Sequence, residues 1–183
     1  MNTVYIMDIT PLMNKEIYGY YYKRVHRQRQ IKADNLKSDT DKSLCIGVGV
    51  ILRYAIENNT PYKYSDLSFD IHKNGKPYVK DNPFYFSLSH SGKYAVCAIS
   101  NTPVGVDIEF DKPLPIRIRK RFADNVLEWT EKEAKGKVTG NGFFDKSNDE
   151  YVYTSKKTDG YIITVCSTKK FDKFIEYDLP FPC

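Results

Sequence analysis

Two carboxylates one residue apart, Asp107 and Glu109 in Val104-Gly105-Val106-Asp107-Ile108-Glu109, are the first side chains of this sequence equipped for chemistry. In a strand, side chains alternate, so Asp107 and Glu109 share one face and Val106 and Ile108 the other. Carboxylates so close repel unless a cation sits between them, and hard oxygen ligands on a rigid strand suit Mg²⁺, which keeps positions for water and phosphate. A lone pair of this kind is more often a solvent-facing acidic strand end. A second group lies in Trp129-Thr130-Glu131-Lys132-Glu133-Ala134-Lys135-Gly136-Lys137. On a helix, Trp129, Glu133 and Lys137 fall on one stripe. A carboxylate and an ammonium one turn apart can divide the work at a phosphate, one holding metal and the other neutralising charge. By themselves they are an ordinary helix ion pair, worth roughly 0.2–0.5 kcal/mol. Third, Ser87-Leu88-Ser89-His90-Ser91-Gly92 offers hydroxyls, an imidazole and backbone N–H donors at a turn, the makings of a phosphate cradle. It is not a hydrolase elbow, which requires G-x-S-x-G.

These groups need elements to hold them. Thr3 to Met7 reads as a strand, followed by a charged, Tyr-rich stretch to Ser38. A helix is predicted over 41–58, where Leu44, Val48, Ile51, Leu52, Ala55 and Ile56 recur at spacings of three and four. Asn74-Gly75-Lys76-Pro77 is a turn. Strands follow at 84–89, where Phe84, Phe86 and Leu88 alternate with polar residues, at 93–100 and at 104–109. A second helix is predicted over 125–138, with strands near 151–153 and 161–167. Gly160-Tyr161-Ile162-Ile163-Thr164-Val165-Cys166-Ser167 echoes Lys93-Tyr94-Ala95-Val96-Cys97-Ala98-Ile99-Ser100. The expected fold is therefore α+β: two pseudo-twofold-related halves, 1–103 and 104–183, each a helix on a small antiparallel sheet, in a single compact unit.

Bulk properties narrow the classes. With 183 residues, 41% of them hydrophobic, the chain can build a core and is not generally disordered. The net charge of +5 suits an anionic ligand or an acidic partner. It is too small, and the aromatic residues too scattered, for a nucleic-acid platform. The short basic runs, Lys23-Arg24, Arg27, Arg29 and Lys32 and then Arg117 to Arg121, read as solvated faces. Met1 to Tyr5 does not resemble a secretory leader, and no apolar run reaches the roughly 20 residues a membrane span needs. Cys45, Cys97, Cys166 and Cys183 lack metal-site spacing. Together these predict a cytoplasmic protein with reduced thiols and no membrane association.

Each chemical signal is weak alone, but their order is specific. Gly75-Lys76-Pro77, Ser89-His90-Ser91-Gly92, Gly105-Val106-Asp107-Ile108-Glu109 and Trp129-Thr130-x-Lys132-Glu133-Ala134-x-x-Lys137 together resemble the 4′-phosphopantetheinyl transferases of the surfactin-synthetase-activating type, over about Asp41 to Gly142. The resemblance implies a monomer with coenzyme A in the cleft between the halves. It implies Mg²⁺ on Asp107, Glu109 and Glu133, Lys137 on the pyrophosphate, Ser89 and His90 on the coenzyme A phosphates, and Gly75, Lys76 and Pro77 on the adenine side. The partner would be an apo acyl- or peptidyl-carrier protein of fatty-acid, polyketide or peptide synthesis. Its serine, deprotonated by Glu133 or by metal-bound water, would attack the β-phosphate and release 3′,5′-ADP, chemistry that asks for placement and charge neutralisation.

The sequence also departs from the family pattern. Where relatives grip the 3′-phosphate with an arginine, alignment on Ser43-Leu44 puts Lys42, and alignment on Gly47 puts Leu44; Arg27 and Arg29 are looser upstream matches. Between Glu109 and Trp129 relatives usually carry a longer connection, and Lys135-Gly136 replaces a bulky apolar pair. These departures motivate a competing reading as a coenzyme A-binding relative that does not catalyse transfer.

Overall fold

The computed structural model describes residues 1–73, 75–81, 83–139 and 150–181; Asn74, Gly142 and Cys183, named above, lie outside them. The first sheet is built on β1 (Asn2–Asp8), which pairs antiparallel with β5 (Tyr94–Ser100). β4 (Tyr85–Ser91) pairs with the other edge of β5. The long helix α3 (Asp39–Asn59) covers one face of this sheet. Ser38 caps it by accepting from the Asp41 N–H, and Asp39 and Asp41 sit in its first turn, where the helix dipole favours negative charge.

α3 is buried from Ser43 to Leu52 on every side, not along a single stripe. A helix apolar all round must be covered all round. The far side is covered by two short helices in the stretch the sequence left unassigned, α1 (Lys15–Tyr22) and α2 (Arg27–Asp34). α2, Arg-Gln-Arg-Gln-Ile-Lys-Ala-Asp, has no apolar stripe and buries only Ala33, so periodicity could not reveal it.

The second sheet has the order β6-β8-β7, all antiparallel: β6 (Val104–Phe110), β7 (Val152–Thr158) and β8 (Tyr161–Ser167). After β6 comes a single turn, α4 (Ile116–Arg119), and then α5 (Val126–Thr139), which packs on β6 and β8. The Asn125 side chain accepts from the Glu128 N–H at the start of α5. A short hairpin, β2 (Phe69–Ile71) with β3 (Pro77–Val79), turns at Gly75, whose φ of 86° favours glycine. The α+β class and the two sheet-covering helices match expectation. The final strand, β9 (Lys173–Glu176), was not expected. It returns to the first sheet and runs parallel to β1, giving the order β4-β5-β1-β9.

The two sheets share a core made by Val4, Ile6, Val96 and Ala98 from the first and Val106, Ile108, Ile163 and Val165 from the second. Val106 and Ile108 therefore face inward, as alternation required, and Asp107 faces the opposite way. Cys45, Cys97 and Cys166 are buried and, among the described residues, form no disulfide. Among the described residues no helix is long and apolar enough to cross a membrane.

Candidate functional site

β6 and α5 touch through their backbones. A Cβ at Gly105 would stand 1.9 Å from the Ala134 carbonyl oxygen, so only glycine lets the helix lie this close. The contact brings the Lys137 ammonium over β6. There it donates to Asp107 Oδ1 at 2.7 Å, to Ser89 Oγ at 2.9 Å and to the Val106 carbonyl at 3.0 Å. Ser89 also donates to Asp107 Oδ1, at 2.8 Å. The second Asp107 oxygen, Oδ2, is buried and has no hydrogen-bond partner. Two residues on, Glu109 accepts from Ser91 at 3.1 Å.

Negative charge is crowded here. Burial, and then Asp107, raise the proton affinity of Glu109 above that of an ordinary glutamate, with Ser91 and Lys137 pulling the other way. Glu133 is raised by burial, by Asp107 and by Glu109, with Lys137 opposing. The three acids thus feel one another across the β6–α5 seam. Among the described residues, however, no three His, Cys, Asp or Glu side chains stand close enough together to hold an ion as they are. The feature that fits a hard cation is the donor set itself: carboxylate oxygens only, one of them buried and unmet.

Beside this seam opens a cavity of about 400 Å³. α5 gives it Lys132, Glu133, Gly136 and Lys137, and β4 gives Ser89 and His90. The β2–β3 hairpin supplies Gly75, Lys76 and Pro77, and α2 with its N-cap residue supplies His26, Gln28, Arg29 and Lys32. Val48 and Leu52 of α3, with Tyr64 and Phe69, make an apolar flank. His90 is pushed toward its neutral form by burial and by the charges of Lys137, Lys32 and Arg29, so these three cations converge on one region.

Of the residues expected at the site, Gly75, Lys76, Pro77, Ser89, His90, Glu133 and Lys137 line the cavity. Asp107 is joined to it through Ser89 and Lys137, and Glu109 lies farther along the same strand face. Lys42 is not in the wall. Its neighbour Ser43 is buried and donates to the Leu12 carbonyl. Arg29 and Lys32 of α2 stand in the wall instead, with Lys76, Lys132 and Lys137. Arg29 was a loose match and Lys32 read as a solvated face; His26 and Gln28 carried no signal. The Lys137 ammonium goes to Asp107 in preference to an in-helix pair with Glu133, and the in-helix pair of α5 is Glu128 with Lys132.

Comparison with known proteins finds relatives of one kind. Residues 19–102 match the family model described as 4′-phosphopantetheinyl transferase, N-terminal. The chain is 35% identical over 96 residues to 4′-phosphopantetheinyl transferase Sfp of Bacillus subtilis (strain 168), covering 52% of this chain and 42% of that protein. It is 31% identical over 136 residues to 4′-phosphopantetheinyl transferase gsp of Aneurinibacillus migulanus, covering 72% and 55%. A further Bacillus subtilis 4′-phosphopantetheinyl transferase is 37% identical over 100 residues, covering 54% and 43%. The chain spans about half the length of the curated relatives it matches. With the ordered motifs and the relatives in agreement, the chain belongs to the 4′-phosphopantetheinyl transferase family.

Proposed function

We propose that this chain transfers the 4′-phosphopantetheine arm of coenzyme A to a serine of an apo carrier protein, with Mg²⁺ as cofactor. The observation that carries the reading is the β6–α5 seam, which brings together a buried, unpartnered carboxylate oxygen of Asp107, two acids of raised proton affinity and the Lys137 ammonium, with Glu133 and Lys137 in the wall of the adjoining cavity. Arg29, Lys32 and His90 would receive the phosphates of coenzyme A, and the apolar flank and the hairpin at Gly75 and Pro77 the rest of its nucleotide end.

Asp107 Oδ2, Glu109 and Glu133 would hold the metal, which neutralises diphosphate charge when bound. The chain's own side chains do the rest. Glu133, whose proton affinity is raised, is suited to take the proton from the serine hydroxyl. The serine oxygen then bonds to the β-phosphorus, the bond from that phosphorus to the bridging oxygen breaks, and 3′,5′-ADP leaves with the electron pair. Lys137 stands where it can balance the charge gathering on the diphosphate.

The test is to incubate the protein, Mg²⁺ and coenzyme A with a panel of apo carrier proteins and weigh the carriers. A gain of one phosphopantetheine is expected. Binding of coenzyme A without any gain would replace this reading by the binding-only one, which the single-turn α4 connection between β6 and α5 favours. The same panel identifies the carrier.

A further inference from the structure

β4 and β6 lie side by side but belong to different sheets, so among the described residues the edge of β6 that faces β4 has no strand partner. Buried backbone groups must be paired somehow, and here side chains do it. Ser87 Oγ accepts from the Val106 N–H at 3.0 Å, Lys137 donates to the Val106 carbonyl at 3.0 Å, and Lys76 donates to the Val104 carbonyl at 3.0 Å. Lys76 also donates to a second carbonyl, that of Lys137, at 2.6 Å. That carbonyl is in the last turn of α5, where C=O groups have no partner within the helix and the dipole favours a cation. One ammonium thus joins the hairpin turn, the start of β6 and the end of α5.

We propose that Lys76 is a positioning residue: by holding these two carbonyls it locks the last turn of α5 on β6 and fixes the Lys137 side chain beside Asp107 and Ser89. This rests on the transferase reading of the site and assigns Lys76 a role other than contact with the nucleotide. Holding two ammoniums near each other has a cost. Burial and the Lys137 charge push the Lys76 amine down to about 8, while its carbonyl acceptors favour the charged form. The return is geometric. Gly105 allows the backbone contact but supplies no bond across it, and Lys76 supplies two.

Lys76→Met keeps the length and removes the donors. In hydrogen exchange on the whole chain without ligand, amides of α5 from Glu133 to Val138 and of β6 from Val104 to Val106 should exchange about 10-fold faster, with α3 unchanged. In the transfer assay kcat should fall about 10-fold with the KM for coenzyme A held within about threefold, and the loss should vanish on a Lys137→Met background, because residues acting as one unit are not additive. Unchanged exchange overturns the proposal. So does a raised KM with normal kcat that persists on the Lys137→Met background, the mark of a direct ligand contact. If the unsubstituted chain modifies no carrier, the transferase reading falls and, with it, the catalytic half of this proposal, while exchange still decides the clamp. Should Lys76→Met fail to fold, Lys76→Gln, whose shorter side chain keeps an uncharged NH2 donor group, carries the same comparison.

Discussion

Gly105→Ala is the smallest change that tests the seam. The new methyl would meet Ala134 O at 1.9 Å, Ala134 C at 2.9 Å and Val138 N at 2.8 Å, all of them helix backbone that cannot rotate away. Ordinary contact begins at 3.4 Å, so α5 must retreat from β6 by roughly 1.5 Å. A shift of that size opens the 2.7 Å Lys137–Asp107 bond and the 2.6 Å bond from Lys76 to the Lys137 carbonyl past the limit of about 3.2 Å. Overpacking of this kind costs about 1–3 kcal/mol, and for a chain of this size a loss of about 2 kcal/mol lowers Tm by roughly 4–8 °C. Misplacing Glu133 and Lys137 by more than 1 Å should cut transfer about 100-fold. Scanning calorimetry and the carrier mass assay read the two effects. Gly19→Ala is the control: it sits in α1 with nothing within 4 Å and should raise stability by about 0.5–1 kcal/mol. If Gly105→Ala leaves Tm within a degree and activity within about threefold, the backbone contact does not set the site.

Asp107→Ala and Glu133→Ala should each reduce transfer by about 1,000-fold or more while the far-UV circular dichroism stays unchanged; substantial activity at saturating Mg²⁺ in either variant would refute the assigned ligands. Mg²⁺ at ten times its dissociation constant should stabilise the unsubstituted protein by about 1.4 kcal/mol, seen as a rise in Tm that Asp107→Asn abolishes. Because Glu109 and Glu133 bind protons more tightly folded than unfolded, metal-free stability should rise as pH falls through their raised values toward the ordinary glutamate value of about 4.3, and Glu109→Gln with Glu133→Gln should flatten that rise. Arg29→Ala should raise the KM for coenzyme A about 10-fold, whereas Lys42→Ala, outside the cavity wall, should change it less than about twofold; the reverse order would put the phosphate grip on α3.

Local pattern was legible wherever a residue's role depends on its neighbours in the chain. Alternation alone put Asp107 and Glu109 on one face of a strand and Val106 and Ile108 on the other, three-four spacing located α3 within a few residues of its ends, and the helix expected over 125–138 matches α5. The order of short motifs was enough to suggest the family. α2 escaped because Arg-Gln-Arg-Gln-Ile-Lys-Ala-Asp offers no periodic apolar face, its position being set by packing on α3. β9 escaped because its pairing partner, β1, lies at the other end of the chain.

The sequence by itself determined which residues could do the chemistry, since carboxylates, a lysine one turn away and a Ser-His turn are matters of residue type and short spacing. Tertiary structure alone decided which of them meet. Lys137 pairs with Asp107 instead of Glu133, Lys76 holds backbone carbonyls, and Arg29 and Lys32 of α2, not Lys42, stand in the cavity wall. The reason is physical: these contacts join elements far apart in the chain, and their geometry follows from how closely α5 can approach β6, a distance set by the absent side chain of Gly105.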